Sequence, residues 1–137
     1  NDNFDRDRGK LNVINNVLER VVKWNAKVIL SVPCCQHELN RQIANKELYP
    51  IMDYGILKER MAALLTDGIR AKLLENAGYE TQILEFIDME HTPKNLLIRA
   101  VKRQEGSKKL PEELKACMEA YHVKPTLADL LTEKEEP

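Results

Sequence analysis

Residues 28 to 32 read Val-Ile-Leu-Ser-Val and are followed directly by Pro33. This run is rich in β-branched residues and does not alternate between apolar and polar positions. Such a pattern is typical of a short strand that is buried on both faces, as in a parallel sheet covered by helices. We therefore expect an α/β fold that contains this strand.

The segment before the strand is predicted to be an amphipathic helix from about Leu11 to Trp24. Its apolar residues recur at helical spacing: Leu11, Ile14, Val17, Leu18, Val21 and Val22. Residues 1–10 are polar and charged, so we expect a flexible lead-in rather than a secretory signal. A helix, a short connection and a buried strand follow one another as in a βαβ fold.

Two further helices are expected after the strand. The first covers residues 38–48, is interrupted by Tyr49-Pro50, and points three apolar residues inward: Leu39, Ile43 and Leu48. The second runs from about Ile56 to Asn76 and keeps an inward apolar pattern over several turns: Leu57, Met61, Leu64, Leu65, Ile69 and Leu73. Gly78 lies just past its end, where a C-cap glycine is expected.

The last third of the chain is predicted to contain two strands and two helices. Tyr79 to Asp88 and Asn95 to Lys102 are joined by a short connection, which favours an antiparallel pair. Pro111 is predicted to open a helix, and the Thr-x-x-Asp sequence at Thr126 resembles a capping box. The organisation we expect is a lead-in at 1–10, a folded unit at 11–104 and a helical tail at 105–137.

The composition excludes several classes of protein. The chain has 137 residues, 43% of them hydrophobic and 31% charged, and a net charge of -1, which fits one soluble globular domain. No apolar run approaches the roughly 20 residues needed to span a bilayer. Three cysteines, two of them adjacent, favour reduced thiols over a disulfide framework. We expect a cytoplasmic protein without a membrane partner.

The residues just past the predicted strand are the first candidate site. Cys34, Cys35, His37 and Asn40 follow its carboxyl end, which is the edge where ligands bind in open α/β sheets. Adjacent cysteines are equally compatible with small buried residues. A zinc site fits less well, because paired cysteine ligands are usually separated by two to four residues. A redox dithiol is disfavoured because there is no Cys-x-x-Cys motif.

Two other groups of polar residues are weaker candidates. Arg60 and Asp67 share a face of the long helix, and Asp67 and Arg70 are spaced to pair. The default interpretation of this group is a solvated helix surface. Gly68 is unusual there, because glycine inside a helix costs about 1 kcal/mol against alanine, and it would permit close approach of another segment or a ligand. His91 and Lys94 lie in the turn between the two strands, where a histidine is usually just exposed.

Three separated blocks of sequence occur in a recognisable order. They are Pro33-Cys34-Cys35-Gln36-His37-Glu38-Leu39, then Glu59-Arg60 through Thr66-Asp67 to Arg70, then Glu85-Phe86-Ile87-Asp88 through His91-Thr92-Pro93-Lys94-Asn95. From about Val22 to Lys102 the chain resembles the second half of a group of class I S-adenosylmethionine-dependent methyltransferases. That group is related to eukaryotic Cys-Cys enzymes, some of which methylate tRNA.

The resemblance implies a partial Rossmann-like methyltransferase sheet flanked by helices. Val28 to Val32 would be a buried parallel strand, the fifth of seven, and the later strand pair would be the sixth and an antiparallel seventh. The implied cofactor is S-adenosylmethionine, and RNA is a candidate methyl acceptor. The resemblance assigns neither a general base nor a metal, and the residues that would line the substrate are Cys34, Cys35, His37, Asn40, Arg60, Asp67, Arg70, His91 and Lys94.

The chain departs from this family in its glycines. No two of them are close enough for a cofactor-binding G-x-G loop: Gly9, Gly55, Gly68, Gly78 and Gly106. We therefore expect the C-terminal, substrate-side half of such an enzyme. Its unpaired strand edge would self-associate or pair with a missing N-terminal half. The alternative is a non-catalytic interaction module that retains half of the methyltransferase fold.

Overall fold

The computed structural model describes residues 17–31, 37–86 and 95–132, with only the backbone of His37, Phe86 and Asn95. These residues form a mixed fold in which a small, open, antiparallel sheet is flanked by helices. The elements in chain order are α1 (17–23), β1 (Val28–Ser31), α2 (His37–Gln42), a 3-10 turn (Lys46–Leu48), α3 (Tyr49–Met52), α4 (Gly55–Asn76), β2 (Tyr79–Phe86), β3 (Asn95–Lys102), α5 (Glu112–Tyr121) and α6 (Thr126–Leu131).

The sheet has the strand order β1-β3-β2, and β3 runs antiparallel to both of its neighbours. The antiparallel pairing of β2 with β3 confirms the prediction for the two later strands. β1 and β2 therefore run in the same direction without touching. The expectation that β1 is parallel to its neighbour is wrong within the described residues, because the strand beside it is β3.

The expectation that β1 is buried on both faces is also wrong. Ile29 is 5% exposed, whereas Val28 and Leu30 are 55% and 64% exposed. Ile29 pairs with Ala100, which is also buried, so both lie on the sheet face that is packed against the core. Leu30 pairs with the exposed Arg99 on the opposite face, which no element within the described ranges covers.

Helix α4 confirms the long helix predicted from the sequence and supplies one wall of the core. Four of its five buried apolar residues lie on one stripe of the helix and pack in the same cluster as the sheet: Ala62, Ile69, Leu73 and Leu74. Leu57 and Leu64 were expected to point inward but are exposed, Leu64 by 63%. The stripe that faces the sheet and α2 is rotated away from these two leucines, and it includes polar positions instead.

The helix predicted for residues 38–48 is broken into two pieces. α2 ends at Gln42, and Asn45 then accepts hydrogen bonds from the backbone N–H groups of Glu47 and Leu48, at 2.9 and 3.2 Å. This side-chain cap starts a separate 3-10 turn. Pro50 lies in the first turn of α3, a position that proline tolerates well.

The turn between α4 and β2 was correctly predicted. Ala77 is the C-cap of α4, and Gly78 follows with a φ of 101°, a value that L-residues rarely adopt. Helix α5 begins after Pro111, also as expected, and α6 begins at Thr126. The capping-box prediction is wrong, because the N-cap is Pro125 and Thr126 itself hydrogen-bonds to Glu38.

Both tail helices contribute to the core that underlies the sheet. Leu114 and Met118 of α5 and Leu127 and Ala128 of α6 belong to the same buried cluster as Ile29 and Ile98. The predicted lead-in at residues 1–10 lies outside the described residues.

Candidate functional site

Four of the nine candidate residues have side chains that the structure describes: Asn40, Arg60, Asp67 and Arg70. His37 is the first residue of α2 and is described by its backbone alone. Cys34, Cys35, His91 and Lys94 lie outside the described residues. The geometry of the site is therefore built from α2 and α4.

From the lengths of the elements, we infer that Asp67 lies near the level of the carboxyl end of β1, with Arg70 one turn further along α4. Helix α4 turns tightly into β2 at Ala77-Gly78 and packs back along it. From Asn76 back to Asp67 the helix covers about 13 Å at about 1.5 Å per residue. From Tyr79 to Ile83 the strand covers about the same distance at about 3.3 Å per residue. Ile83 pairs with Ile98, and Ile98 pairs with Ser31, the last residue of β1.

The Asp67 and Arg70 side chains form a buried pair. Asp67 Oδ1 and Arg70 Nη1 are 3.9 Å apart, and each side chain is only 5% exposed. The prediction that the two residues can pair is confirmed, whereas their interpretation as a solvated surface is wrong. Burying an unpaired ion costs several kcal/mol. Two charged side chains on the buried side of an amphipathic helix are therefore unusual.

Arg60 does not join this pair, although it shares their face of α4. It lies about 10 Å further toward the helix N-terminus, beyond the part of α4 that is covered, and it is exposed. Thr66, by contrast, is buried beside Asp67 and was not singled out by sequence reasoning. Its hydroxyl donates to Ala62 O at 2.6 Å, so the polar group is satisfied within the helix.

Asn40 provides a polar atom on α2, which packs directly against α4. Its side-chain oxygen Oδ1 is buried and accepts no hydrogen bond from the described part of the chain. A buried acceptor without a donor costs about 1–3 kcal/mol. A ligand that donates an N–H or O–H to this oxygen would recover that cost. Among the four candidates whose side chains are described, Asn40 is therefore the one best suited to contact a ligand.

The residues that position α2 were missed by the sequence analysis. Glu38 and Gln42 lie on α2, and both accept backbone N–H groups from the turn between α5 and α6. Nothing local marks them, since a glutamate in the first turn of a helix and a glutamine in its last turn are common surface residues. Their roles depend on partners more than 80 residues away in sequence.

The glycines in the described ranges do not form a cradle for S-adenosylmethionine. A Cβ at Gly78 would lie 2.1 Å from Gln104 O, and one at Gly106 would lie 2.2 Å from Ala77 C. These two glycines let two backbone turns pack together. Gly55 and Gly68 lie within α4. Of these four, Gly106 alone lies in a connection from a strand to a helix, between β3 and α5. It packs against the backbone of Ala77, and no second glycine of the described residues joins it to form the kind of loop that binds a nucleotide-like cofactor.

Other kinds of site receive little support from the described part of the chain. A cleft of about 510 Å³ opens between α4 and α5, but Gly68 lines it rather than Asp67 or Arg70. No three His, Cys, Asp or Glu side chains in residues 17–31, 37–86 and 95–132 are grouped as metal ligands would be. None of the described helices combines the length and apolarity needed to cross a membrane.

Comparison of the chain with protein-family models, curated proteins and solved structures gave no match.

Proposed function

We propose that this chain is the substrate-side half of an S-adenosylmethionine-dependent methyltransferase. The methyl acceptor would bind past the carboxyl end of β1, between α2 and the Asp67–Arg70 turn of α4. The observation that carries the proposal is the burial of the Asp67–Arg70 pair at this level of the sheet. Both residues belong to the second of the three sequence blocks on which the resemblance to this family depends.

The arrangement of the strands supports the same proposal. The resemblance implies a last strand that runs antiparallel to the rest of the sheet, and β3 is antiparallel to both β1 and β2. β1 and β2 share one direction, as strands five and six of a largely parallel sheet would. The block that contains Cys34 and Cys35 follows β1 directly in sequence.

In this proposal the main role of Asn40, Asp67 and Arg70 is to position the methyl acceptor. A nucleophilic acceptor needs to be held in line with the methyl group, and orientation alone can contribute several kcal/mol to the lowering of the barrier. In this proposal Asn40 accepts a hydrogen bond from the acceptor molecule, and the Asp67–Arg70 pair supplies a fixed polar wall. RNA is the acceptor that the family resemblance favours.

The cofactor would have to be bound with help from outside the described residues, because their glycines form no cradle. No strand of the described residues pairs with the outer edge of β1, and such an edge offers a place where a second polypeptide can add a strand. In this proposal that polypeptide is an N-terminal half of the enzyme or a second copy of the chain.

Calorimetric titration with S-adenosylhomocysteine tests the proposal. We expect micromolar binding at chain concentrations high enough for edge pairing, followed by methylation of bulk RNA with a radiolabelled methyl donor. Asn40→Ala should reduce methylation about tenfold or more, because a hydrogen bond to the acceptor is lost, while Glu80→Ala, a change at an exposed carboxylate on β2, should have little effect. Absence of binding at millimolar chain concentration would contradict a cofactor site built by two copies of this chain, and only the form of the proposal with an N-terminal half would remain.

A non-catalytic interaction module is the second candidate function, and the exposed side of β1 favours it. Val28 and Leu30 project from an edge strand that carries no charge within Val28–Ser31. Such a strand is suited to pairing with another chain. Concentration-dependent association together with no binding of S-adenosylhomocysteine would support this candidate over the enzyme.

A further inference from the structure

The turn between α5 and α6 is hydrogen-bonded to α2 and to the segment that follows it. We refer to residues 120–126 as the corner. Two of its bonds go to side chains of α2: Thr126 donates to Glu38, and Lys124 N donates to Gln42 Oε1 at 2.7 Å. Three more go to the segment after α2. Ala44 N donates to Tyr121 O at 2.9 Å, Asn45 Nδ2 donates to Ala120 O at 3.2 Å, and His122 Nδ1 lies 2.9 Å from Ala44 O.

Glu38 makes the strongest of these connections. One carboxylate oxygen, Oε1, accepts both the backbone N–H of Thr126, at 2.8 Å, and the hydroxyl of the same residue. Pro125, the N-cap of α6, has no side-chain acceptor, so Glu38 satisfies a first-turn amide of α6 from another helix. A carboxylate at a helix N-terminus is also favoured by the helix dipole.

The backbone of the corner is shaped to make the remaining bonds. His122 ends α5 in the left-handed conformation, with a φ of 56°. This reversal of the chain brings the His122 ring to Ala44 O, and it leads the chain on to Lys124 and Thr126. Because a non-glycine residue is strained in this region by about 1 kcal/mol or more, the contacts around His122 have to offset that cost.

Residues of the α2 segment and of the corner also share the apolar core. Leu39 and Ile43 of the α2 segment are buried in one cluster with Val123 and Leu127. Helix α2 has only six residues, too few to be stable by itself in water. Its position therefore depends on its neighbours: α4 supplies the helix against which it packs, and the corner supplies the hydrogen bonds.

We propose that the corner is a clamp that fixes α2, and that Glu38 is its main positioning residue. Release of the clamp would displace Asn40 and the start of α2, and so disable the candidate site from a distance. This inference goes beyond the proposed function, because it concerns the order of α2 whether or not the chain transfers methyl groups.

Hydrogen exchange measured by mass spectrometry on the full chain tests the clamp. In Glu38→Ala and Thr126→Val, exchange in peptides covering residues 38–43 should rise about tenfold or more, because a charge-assisted hydrogen bond no longer opposes local opening. Glu38→Gln should restore most of the protection, since its amide oxygen can still accept both bonds. Glu80→Ala removes a comparable surface carboxylate, the partner of Arg103, and should leave α2 unchanged.

Two results would overturn the proposal. The first is unchanged exchange in residues 38–43 of both Glu38→Ala and Thr126→Val. The second is an equal rise in the amides of β2 and β3, which would mean that the variants lower global stability rather than release α2. Binding of S-adenosylhomocysteine is not used as a readout, so failure of the proposed function would leave this test intact.

Discussion

Asp67 and Arg70 lie one turn apart on α4 with their charged atoms 3.9 Å apart, and almost no part of either side chain reaches solvent. A separation of 3.9 Å is longer than a direct hydrogen bond, so the attraction between these two atoms is that of opposite charges in a poorly solvated place. An apolar pair of similar volume would fill this position without the cost of desolvating two ions. Charge is therefore kept here at a cost that an apolar pair would avoid.

Removing one member of this pair should be costly. Asp67→Ala leaves a guanidinium buried without its neighbouring carboxylate, and we expect a loss of about 3 kcal/mol or more in the free energy of unfolding. Urea denaturation measures it. Lys72→Ala is the matched control, because Lys72 pairs with Glu75 on the exposed side of the same helix and should cost less than about 1 kcal/mol. Equal effects in the two variants would contradict the burial of Asp67.

Two glycines should respond in opposite ways to alanine. Gly78→Ala places a Cβ against Gln104 O in a backbone conformation that alanine disfavours, and we expect a loss of about 2 kcal/mol or more. Gly68→Ala adds a Cβ that meets no atom within 4 Å other than those of its own stretch of helix. Because alanine is the better helix former, the chain should gain up to about 1 kcal/mol. Thermal denaturation of both variants checks the signs, and destabilisation by Gly68→Ala would show that this position needs glycine.

Tyr79 should make stability fall at high pH. Burial raises the pKa of the Tyr79 hydroxyl above its ordinary value of about 10, and this hydroxyl donates to Ala26 O at 2.7 Å. Below a pH of about 10, the Tyr79 hydroxyl is protonated in both the folded and the unfolded chain, and its contribution to the free energy of unfolding is complete. As pH rises further, the tyrosine of the unfolded chain ionises first, so stability is lost up to the pKa of the folded state.

The comparison that isolates Tyr79 is Tyr79→Phe. Urea denaturation between about pH 9 and pH 11.5 should show a steeper loss for the unmodified chain than for this variant. Other groups titrate in the same range, but they do so in both proteins. Parallel pH profiles for the two proteins would refute the contribution of Tyr79.

The exposed edge of β1 should drive self-association of the isolated chain. We expect the apparent mass from light scattering to rise with concentration, and Leu30→Lys to suppress that rise by placing a charge on the edge. Leu64→Lys is the control, because Leu64 is equally exposed at 63% but lies on α4. A monomer at all concentrations, or an equal effect of both substitutions, would rule out association through this edge.

Local sequence patterns predicted the elements whose signals are local. Helix α4, the β2–β3 pair and the start of α5 follow from helical periodicity, strand composition and Pro111. Sequence could not predict the partner of β1, because an apolar run of five residues carries no information about which strand lies beside it or what covers its faces. Asp67 and Arg70 were read as surface residues because their burial depends on how α4 is rotated against α2 and the sheet.

The bond between Glu38 and Thr126 joins residues 88 positions apart in sequence, and this separation bears on how the chain is made. A ribosome adds about 5–20 residues per second, so α2 emerges roughly 4–18 s before the residue that secures it has been synthesised. β1 also leaves the ribosome several seconds before the strand with which it pairs, because β3 begins at Asn95. During translation the nascent chain therefore carries an apolar strand and an unanchored helix, a period in which a ribosome-associated chaperone would find both accessible.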